Sequence, residues 1–352
     1  MMENYTLEGQ FIVVTGCCGS VGSALVHKLL TDEKYASCHV VGLDNNEDGI
    51  FQIEEQWKSS TRGRFYIADV RDQKALRQRF ADADVVFHCA ALKHVYQCEK
   101  APSEAVNTNV LGVEAVIAAA RDAGVRRVLF TSSDKAVNPT NVMGTSKLMG
   151  ERLITAANAS SHNGAIFAST RFGNVLGSRG SVVEVFRRQI EQGGPVTLTS
   201  REMTRFVMSI EQAVALVLGS VNLARGGEVF ITKMPVIYVR DLAQAMIQSL
   251  AAGYGRNPDK IEIKEVGARP GEKMYEELLT SEETRRAVEL EQYFVVRPAF
   301  TPIYSRISYE YPGLRSSRVE RPYVSAEEPK LSVPDIRGLL DETGLLQKTD
   351  AS

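Results

Sequence analysis

A glycine-rich turn follows the first short apolar run of the chain. The run covers residues 11–14, the turn reads TGCCGSVG over residues 15–22, and a helical pattern covers residues 21–30. Glycine permits a tight turn and lets the backbone approach a pyrophosphate, while a helix N-terminus offers unpaired N–H groups to that anion. The alternative is an ordinary β–α turn, but the position after the first strand favours a dinucleotide site. The residues predicted to form it are Gly16, Gly19, Ser20, Val21 and Gly22.

Short apolar runs alternate with longer helical patterns in the first half of the chain. The predicted strands cover residues 11–14, 39–43, 65–68, 85–88, 127–131 and 165–170, and the predicted helices 21–30, 103–123 and 142–157. This alternation is typical of βαβ units. We therefore predict an α/β fold with a Rossmann-like, doubly wound parallel sheet.

The pattern changes after Phe172, where glycine, proline and polar residues become denser. We predict a Rossmann domain over 8–172, to which 205–252 return with helices at 209–222 and 239–252 and a strand at 228–232. A smaller C-terminal substrate-binding lobe is predicted over 173–204 and 253–345. Within it, 296–331 are predicted to be irregular, and a last helix covers 332–343, with Ser332 as its N-cap and Gly344 as its stop.

Acidic residues follow the second and third predicted strands. Asp44 lies about 20 residues after the glycine-rich turn, where a carboxylate accepts hydrogen bonds from ribose hydroxyls and repels a 2′-phosphate. The two asparagines that follow add no positive charge, so the sequence favours NAD over NADP. Asp69, with Val70 beside it, is placed at the adenine, although Asp69 could instead cap a helix. Ala90 is small enough to leave room for the cofactor backbone.

Composition excludes several classes of protein. The 41 Lys and Arg nearly balance 43 Asp and Glu, for a net charge of −2, which argues against nucleic-acid binding. No run approaches the roughly 20 apolar residues of a membrane span, and the first ten residues lack a signal-peptide pattern. The five cysteines are odd in number and lack paired spacing, which indicates reduced thiols in a cytoplasmic protein. The histidines also lack ligand spacing, so no metal is predicted.

Six segments carry a closer resemblance: FHCAALKHV (87–95), NTNVLGV (107–113), SSDKAVNPTNVMGTSK (132–147), RFGNVLGSRGSV (171–182), MTRFVMS (203–209) and GARPGEKMYEE (267–277). With them the chain resembles an extended short-chain dehydrogenase/reductase, and more closely the UDP-N-acetylglucosamine 4,6-dehydratases of the CapD-like polysaccharide-biosynthesis group. The superfamily carries Tyr-x-x-x-Lys, and here Met143 stands at the tyrosine position while Lys147 is retained. One branch of the group shares this methionine and keeps the sugar's C5 configuration.

The resemblance implies oxidation at C4, elimination of water across C5 and C6, and return of hydride to C6. Asp134 would be the acid for the C6 hydroxyl and Lys135 the C5 base, a role that needs a neutral amine. Ser132 or Ser133 would bind the C4 oxygen, and Lys147 would hold the nicotinamide ribose. With tyrosine absent, Asp134 is also the candidate for the C4 hydroxyl proton. The alternative to a catalytic role is that Asp134 and Lys135 form an ordinary solvated ion pair on the surface.

The resemblance also implies a nucleotide-sugar site. The guanidinium groups of Arg205 and Arg269 would bind the diphosphate, near the predicted helix start at Ser181. Glu272 would order Arg269 or contact the uridine ribose, and Asn109 would hold a backbone carbonyl or a water near the catalytic lysine. The predicted substrate-binding set is Lys93, Ser132, Asn174, Ser181, Arg205, Arg269 and Glu272.

Other functions remain open. They are a C5-inverting 4,6-dehydratase, a nucleotide-sugar 4-epimerase, a GDP-linked substrate, and a non-catalytic NAD-sensing protein. An epimerase needs a base at the tyrosine position, and Met143 counts against it. A sensor would be expected to lose the Asp134–Lys135 pair. The apolar faces of the helices near 105–123 and 142–157 predict a homodimer or higher homo-oligomer.

Overall fold

The computed structural model describes residues 5–159, 164–268, 271–300 and 307–347. It divides into two compact units. The first comprises Met1–Phe172, Glu211–Lys233 and Leu279–Pro322, and the second comprises Gly173–Ile210, Met234–Leu278 and Tyr323–Ser352. None of the described helices has the length and hydropathy to span a membrane.

The strands are, in chain order, β1 Phe11–Thr15, β2 His39–Asp44, β3 Gly63–Ile67, β4 Val85–His88, β5 Arg127–Ser133, β6 Ile166–Phe172, β7 Asn174–Val175, β8 Val196–Leu198, β9 Thr204–Met208, β10 Val229–Thr232, β11 Val236–Tyr238, β12 Ile263–Glu265, β13 Glu277–Leu279, β14 Ala287–Leu290, β15 Tyr293–Val296, β16 Leu314–Ser316 and β17 Tyr323–Val324. The α-helices are α1 Ser20–Thr31, α2 Glu47–Trp57, α3 Gln73–Arg79, α4 Val95–Lys100, α5 Pro102–Val106, α6 Gly112–Asp122, α7 Val142–Ala159, α8 Val182–Glu191, α9 Ile210–Leu223, α10 Val239–Leu250 and α11 Val333–Glu342.

The first unit is built on a 10-stranded sheet in the order β16-β14-β15-β10-β6-β5-β4-β1-β2-β3. The strands from β3 to β10 in that order run parallel, and β15, β14 and β16 continue the sheet antiparallel. Successive residues of β1 face opposite sides, so that Ile12 and Val14 pack in one apolar core and Val13 in the other. This arrangement confirms the predicted Rossmann-like α/β fold.

A buried ion triad joins three elements of the first unit. Arg171, in β6, donates hydrogen bonds to both carboxylate oxygens of Glu151 in α7, each at 2.7 Å. The same guanidinium reaches the two oxygens of Glu283, at 2.8 and 2.9 Å. All three side chains are at most 5% exposed. Such a triad depends on all its members, because removing one leaves a buried charge without compensation.

The second unit has its own apolar core. Helices α8, α10 and α11 contribute Phe186, Met246 and Leu340 to it, and β7, β9 and β11 form a three-stranded sheet. Helix α11 begins at a capping box, in which Ser332 accepts a hydrogen bond from the backbone N–H of Asp335. The predicted N-cap is thereby confirmed. Gly344 follows the helix with φ +68°, the left-handed conformation that favours glycine.

The predicted segment boundaries differ from the observed units. Only Glu211–Lys233 of the predicted 205–252 returns to the first unit. The sequence predicts residues 279–322 as part of the lobe and 296–331 as irregular. The described residues of 279–322 belong instead to the first unit, because β14, β15 and β16 extend its sheet. The helix predicted over 103–123 is divided into α5, a π-helical turn at Asn107–Leu111, and α6. Helices α2, α3 and α4 were not predicted.

Candidate functional site

The glycine-rich loop lies where β1 meets β4 in the sheet, at the point where the strand order reverses. Gly16 has φ +70°, and a Cβ atom there would lie 2.6 Å from the backbone nitrogen of Ala90. A Cβ at Gly22 would lie 2.1 Å from the carbonyl oxygen of Gly16. Gly19 is the N-cap of α1, which begins with Ser20 and Val21. The predicted loop residues and Ala90 are therefore together, and two of the glycines are required by contact.

The two predicted acidic residues have different environments. Asp44 ends β2, and its carboxylate accepts hydrogen bonds from the backbone N–H groups of Cys18 at 3.0 Å and Asn46 at 3.1 Å. Asp69 is bound by the guanidinium of Arg71, with an Nη2–Oδ2 distance of 2.6 Å, and the hydrogen bonds from Arg71 lower the pKa of Asp69.

The helix-cap alternative for Asp69 is not what the structure shows, because Asp72 caps α3. The neighbouring Val70 is buried beside the start of α6. There a Cβ at Gly112 would lie 3.1 Å from the Val70 Cγ2 atom. The assignment of Asp69 and Val70 to the adenine stays a prediction.

Polar side chains cluster where β5 ends. The Asp134 carboxylate is fully buried, and its Oδ1 atom accepts hydrogen bonds from Ser133 Oγ at 2.7 Å and Lys135 Nζ at 3.0 Å. Its Oδ2 atom and the Ser132 Oγ atom are buried and have no hydrogen-bond partner among the described residues. A buried polar group left in this state calls for an explanation, and a bound ligand is one. The carboxyl ends of parallel strands are also where ligands bind in such sheets.

Helix α7 packs closely against this cluster. A Cβ at Gly144 would lie 2.1 Å from the carbonyl oxygen of Lys135, so glycine is required for the approach. Lys147 donates a hydrogen bond from Nζ to the Thr131 carbonyl at 2.9 Å, and burial lowers the pKa of Lys147 to about 8. Met143 is buried in an apolar cluster with Cys98 and Ala105. A thioether in that setting offers no exchangeable proton.

Two buried polar contacts lie next to the cluster. Asn109, in the π-helical turn, donates to the Leu92 carbonyl and to Ser146 Oγ, both at 2.9 Å. This geometry agrees with the carbonyl-holding role that the resemblance implies.

His88 Nδ1 lies 2.7 Å from Thr15 Oγ1, and burial, followed by the charge of Lys147, lowers the pKa of His88 to about 3. The sequence gives no signal for the His88–Thr15 pair, because its two members are 73 residues apart.

Most predicted substrate residues belong to the second unit. Arg205 donates to the carbonyl oxygens of Thr204 at 2.8 Å and Lys273 at 2.9 Å, and its Nε atom lies 3.8 Å from a carboxylate oxygen of Glu276. These contacts fix the guanidinium and engage much of its donor capacity. Its assignment to a diphosphate stays a prediction.

The remaining predicted substrate residues are placed as follows. Asn174 donates to the Phe206 carbonyl at 3.3 Å, and Glu272 accepts from Thr199 Oγ1 at 3.0 Å. Ser181 is the N-cap of α8. In the first unit, Lys93 is exposed after β4. Arg269 lies outside the described residues.

The chain is similar to several known proteins. A family model described as "Polysaccharide biosynthesis protein" matches residues 12–298. The "Uncharacterized membrane protein MJ1061" of Methanocaldococcus jannaschii is 49% identical over 288 residues, which are 82% of this chain and 85% of that protein. The "UDP-glucose 4-epimerase" of Rickettsia akari is 36% identical over 337 residues, 94% of each chain. The X-ray structure of Pen from Bacillus thuringiensis superposes with a TM-score of 0.87 at 35% identity, covering 96% of this chain and 99% of that one.

Proposed function

The chain belongs to the polysaccharide biosynthesis protein family, and on that premise we propose that it is an NAD-dependent nucleotide-sugar 4,6-dehydratase of the cytoplasm. The proposed reaction converts UDP-N-acetylglucosamine to UDP-2-acetamido-2,6-dideoxy-4-hexulose with the C5 configuration retained. One observation carries the proposal: a fully buried aspartate, Asp134, is hydrogen-bonded to Lys135 at the carboxyl end of β5. The proposed subgroup is the branch of the CapD-like group that carries methionine in place of the catalytic tyrosine, a position occupied here by Met143.

The residues of the first unit fit NAD. Gly16 and Gly22 let the loop backbone pack where any side chain would collide with other backbone atoms, and the N-terminus of α1 would hold the pyrophosphate. Asp44 would accept the ribose hydroxyls, and Lys147 would hold the nicotinamide ribose. When bound, NAD would supply reversible hydride acceptance. The hydride removed from C4 would return to C6 of the same sugar.

The chain's own residues would move the protons in a closed cycle. The unpartnered Oδ2 atom of Asp134 would accept the C4 hydroxyl proton while the 4-ketone forms. The ketone acidifies the C5–H bond, and Lys135 would remove that proton. Asp134 would then give its proton to the departing C6 hydroxyl, which leaves as water. Lys135 would return a proton to C5, so both side chains end in their starting states.

Ser133 would orient the Asp134 carboxylate. Its hydroxyl donates to Asp134 Oδ1, which leaves the other carboxylate oxygen for substrate. Ser132 would offer its buried hydroxyl to the C4 oxygen. Met143 would shape the pocket without proton transfer, since its side chain packs among apolar residues.

A 4-epimerase is the second candidate, because the Rickettsia akari relative bears that name. Epimerisation also begins with C4 oxidation, but it returns hydride to the opposite face of C4 and needs no C5 base. Lys135 beside the buried Asp134 favours the dehydratase.

The deciding experiment is incubation of the purified protein with UDP-N-acetylglucosamine in D2O, followed by mass spectrometry and proton NMR. We expect loss of one water, deuterium at C5, and a C5 coupling that reports retention. An isomer of unchanged mass would establish the epimerase instead. Turnover confined to a GDP-linked sugar would change the substrate assignment. Absence of change with any nucleotide hexose would favour a non-catalytic NAD-binding protein.

Gly22→Ala is expected to weaken NADH binding by at least about tenfold, or about 1.4 kcal/mol. The added methyl group would collide with the Gly16 carbonyl oxygen and displace the loop. Fluorescence titration of NADH measures the effect. The matched control is Gly338→Ala in α11, where a Cβ meets no atom within 4 Å. Wild-type affinity in Gly22→Ala would contradict the assignment of this loop.

We also propose a homodimer through α5, α6 and α7. Exposed apolar side chains lie on or beside these helices, with Val106 45%, Leu111 49% and Met149 49% exposed. Leu111→Arg is expected to shift the sedimentation coefficient to that of a monomer, because a guanidinium would be buried without a partner. Phe51→Arg, at an exposed position in α2, is the control and should leave the assembly unchanged. A monomeric wild-type protein would refute the dimer.

A further inference from the structure

Two adjacent cysteines lie within the glycine-rich loop, and the proposed reaction uses neither thiol. Cys17 is fully buried and Cys18 is 6% exposed. Their Sγ atoms are 3.9 Å apart. A carboxylate oxygen of Asp44 completes the group, and the three potential ligand atoms lie within 4.8 Å of one another. Cysteine spacing alone gave no sign of this cluster, because its third member comes from the end of the neighbouring strand β2.

The separation of the two sulfur atoms suits a tetrahedral metal ion. Zinc–thiolate bonds of about 2.3 Å at a tetrahedral angle place two sulfur atoms about 3.8 Å apart. The observed Sγ–Sγ distance is close to that value. Two thiolates and one carboxylate form a three-ligand set that leaves one coordination position open, and sulfur-rich sets select thiophilic ions over magnesium or calcium.

The surrounding backbone holds the three ligands in place. The Cys18 N–H group donates to Asp44 Oδ2 at 3.0 Å, and the Cys17 N–H group donates to the Leu43 carbonyl at 3.2 Å. A Cβ at Gly42 would lie 2.9 Å from Cys17 Sγ, and a Cβ at Gly49 would lie 2.9 Å from Cys18 Sγ. Glycine at both facing positions is therefore what allows the sulfur atoms to occupy these places.

We propose that Cys17, Cys18 and Asp44 form a binding site for a thiophilic divalent cation of the zinc class, and that its occupation weakens dinucleotide binding. Binding converts two thiols to metal-bound thiolates and releases two protons to solvent, with one oxygen of the Asp44 carboxylate as third ligand. The weakening rests on the proposed function, because the oxygen that ligates the metal is withdrawn from the ribose hydroxyls and the ion offsets the carboxylate charge. Metal binding by itself does not depend on the function.

Cadmium is the probe, because cadmium–thiolate bonds give an ultraviolet charge-transfer band that reports sulfur ligation directly. Titration of the metal-free, cofactor-free protein is expected to give the band with one cadmium ion per chain. Cys17→Ser and Cys18→Ser should each lose it. Cys38→Ser is the matched control, since Cys38 is a buried free cysteine whose Sγ donates to the Leu7 carbonyl, and it should keep the band. Circular dichroism verifies that each variant is folded.

NADH titration at several cadmium concentrations tests this coupling. In the wild-type protein, the apparent dissociation constant of NADH should rise with cadmium concentration until the metal site is full, and in Cys18→Ser cadmium should no longer raise it. A band that persists in the Cys17→Ser/Cys18→Ser double variant, or no band in the wild type, overturns the site. A cadmium band without any change in NADH affinity overturns the coupling. Failure of NADH binding in the metal-free wild type would instead count against the proposed function.

Discussion

Lys135→Met is expected to lower turnover of UDP-N-acetylglucosamine by about 10²–10⁴-fold, the usual contribution of a positioned proton-transfer group. Methionine keeps an unbranched apolar chain of similar length and removes the amine that would take the C5 proton. Initial rates measured from the NMR signal of the 4-keto product give the effect. Lys58→Met, on the exposed surface of the first unit, controls for the loss of a lysine charge.

The same variant should separate the two halves of the reaction. In the proposed mechanism C4 oxidation depends on Asp134 and not on the Lys135 amine, so Lys135→Met should accumulate reduced cofactor in a single turnover. Asp134→Asn, which lacks the acceptor for the C4 hydroxyl proton, should not. Deuterium should fail to enter C5 in either variant. Wild-type rates in Lys135→Met, or continued deuterium entry at C5, would remove this lysine from the role of base.

The parts of the fold that follow local rules were predictable from sequence. Apolar runs such as Val85–His88 are buried on both faces of the sheet, and a continuous apolar run is what a central parallel strand requires. Gly22 was predictable for a similar reason, since its steric need is set by the Gly16 carbonyl oxygen six residues earlier. The need at Gly16 is set by the backbone of Ala90, which follows β4 far along the chain, and only the place of Gly16 in the turn marked it. The Asp134–Lys135 pair was predictable from sequence because both residues lie in one continuous motif.

Features that depend on distant contacts were not predictable. The segment containing β14 and β15 gives no sequence signal that it joins the main sheet, because its partner β10 lies more than 50 residues earlier. The π-helical turn interrupts a good helical pattern in order to place Asn109 against Leu92. Arg171 stood inside a recognised motif, yet nothing local identified its partner Glu283, 112 residues away.

Arg171→Met is expected to lower the free energy of unfolding by about 3–5 kcal/mol at pH 7, the usual cost of removing one member of a buried ion cluster. The substitution retains volume and leaves Glu151 and Glu283 as buried carboxylates without their cation. Urea denaturation followed by circular dichroism measures the loss. Arg315→Met is the control, because the Arg315–Glu291 pair is more than half exposed and should contribute at most about 1 kcal/mol.

The pH dependence of that loss distinguishes a charge effect from a packing effect. Burial alone would raise the pKa of Glu283, but the charge and hydrogen bonds of Arg171 lower it to about 2 from the ordinary 4.5. A depressed carboxyl pKa stabilises the wild-type protein above about pH 4.5, and that stabilisation disappears as the pH falls toward 2. In Arg171→Met the pKa of Glu283 should rise above 4.5, because desolvation then acts without the cation. The difference between variant and wild type should therefore be largest at pH 7 and smaller at pH 4. A difference that stays constant between these two pH values would mean that Arg171 stabilises the fold through packing and not through its charge.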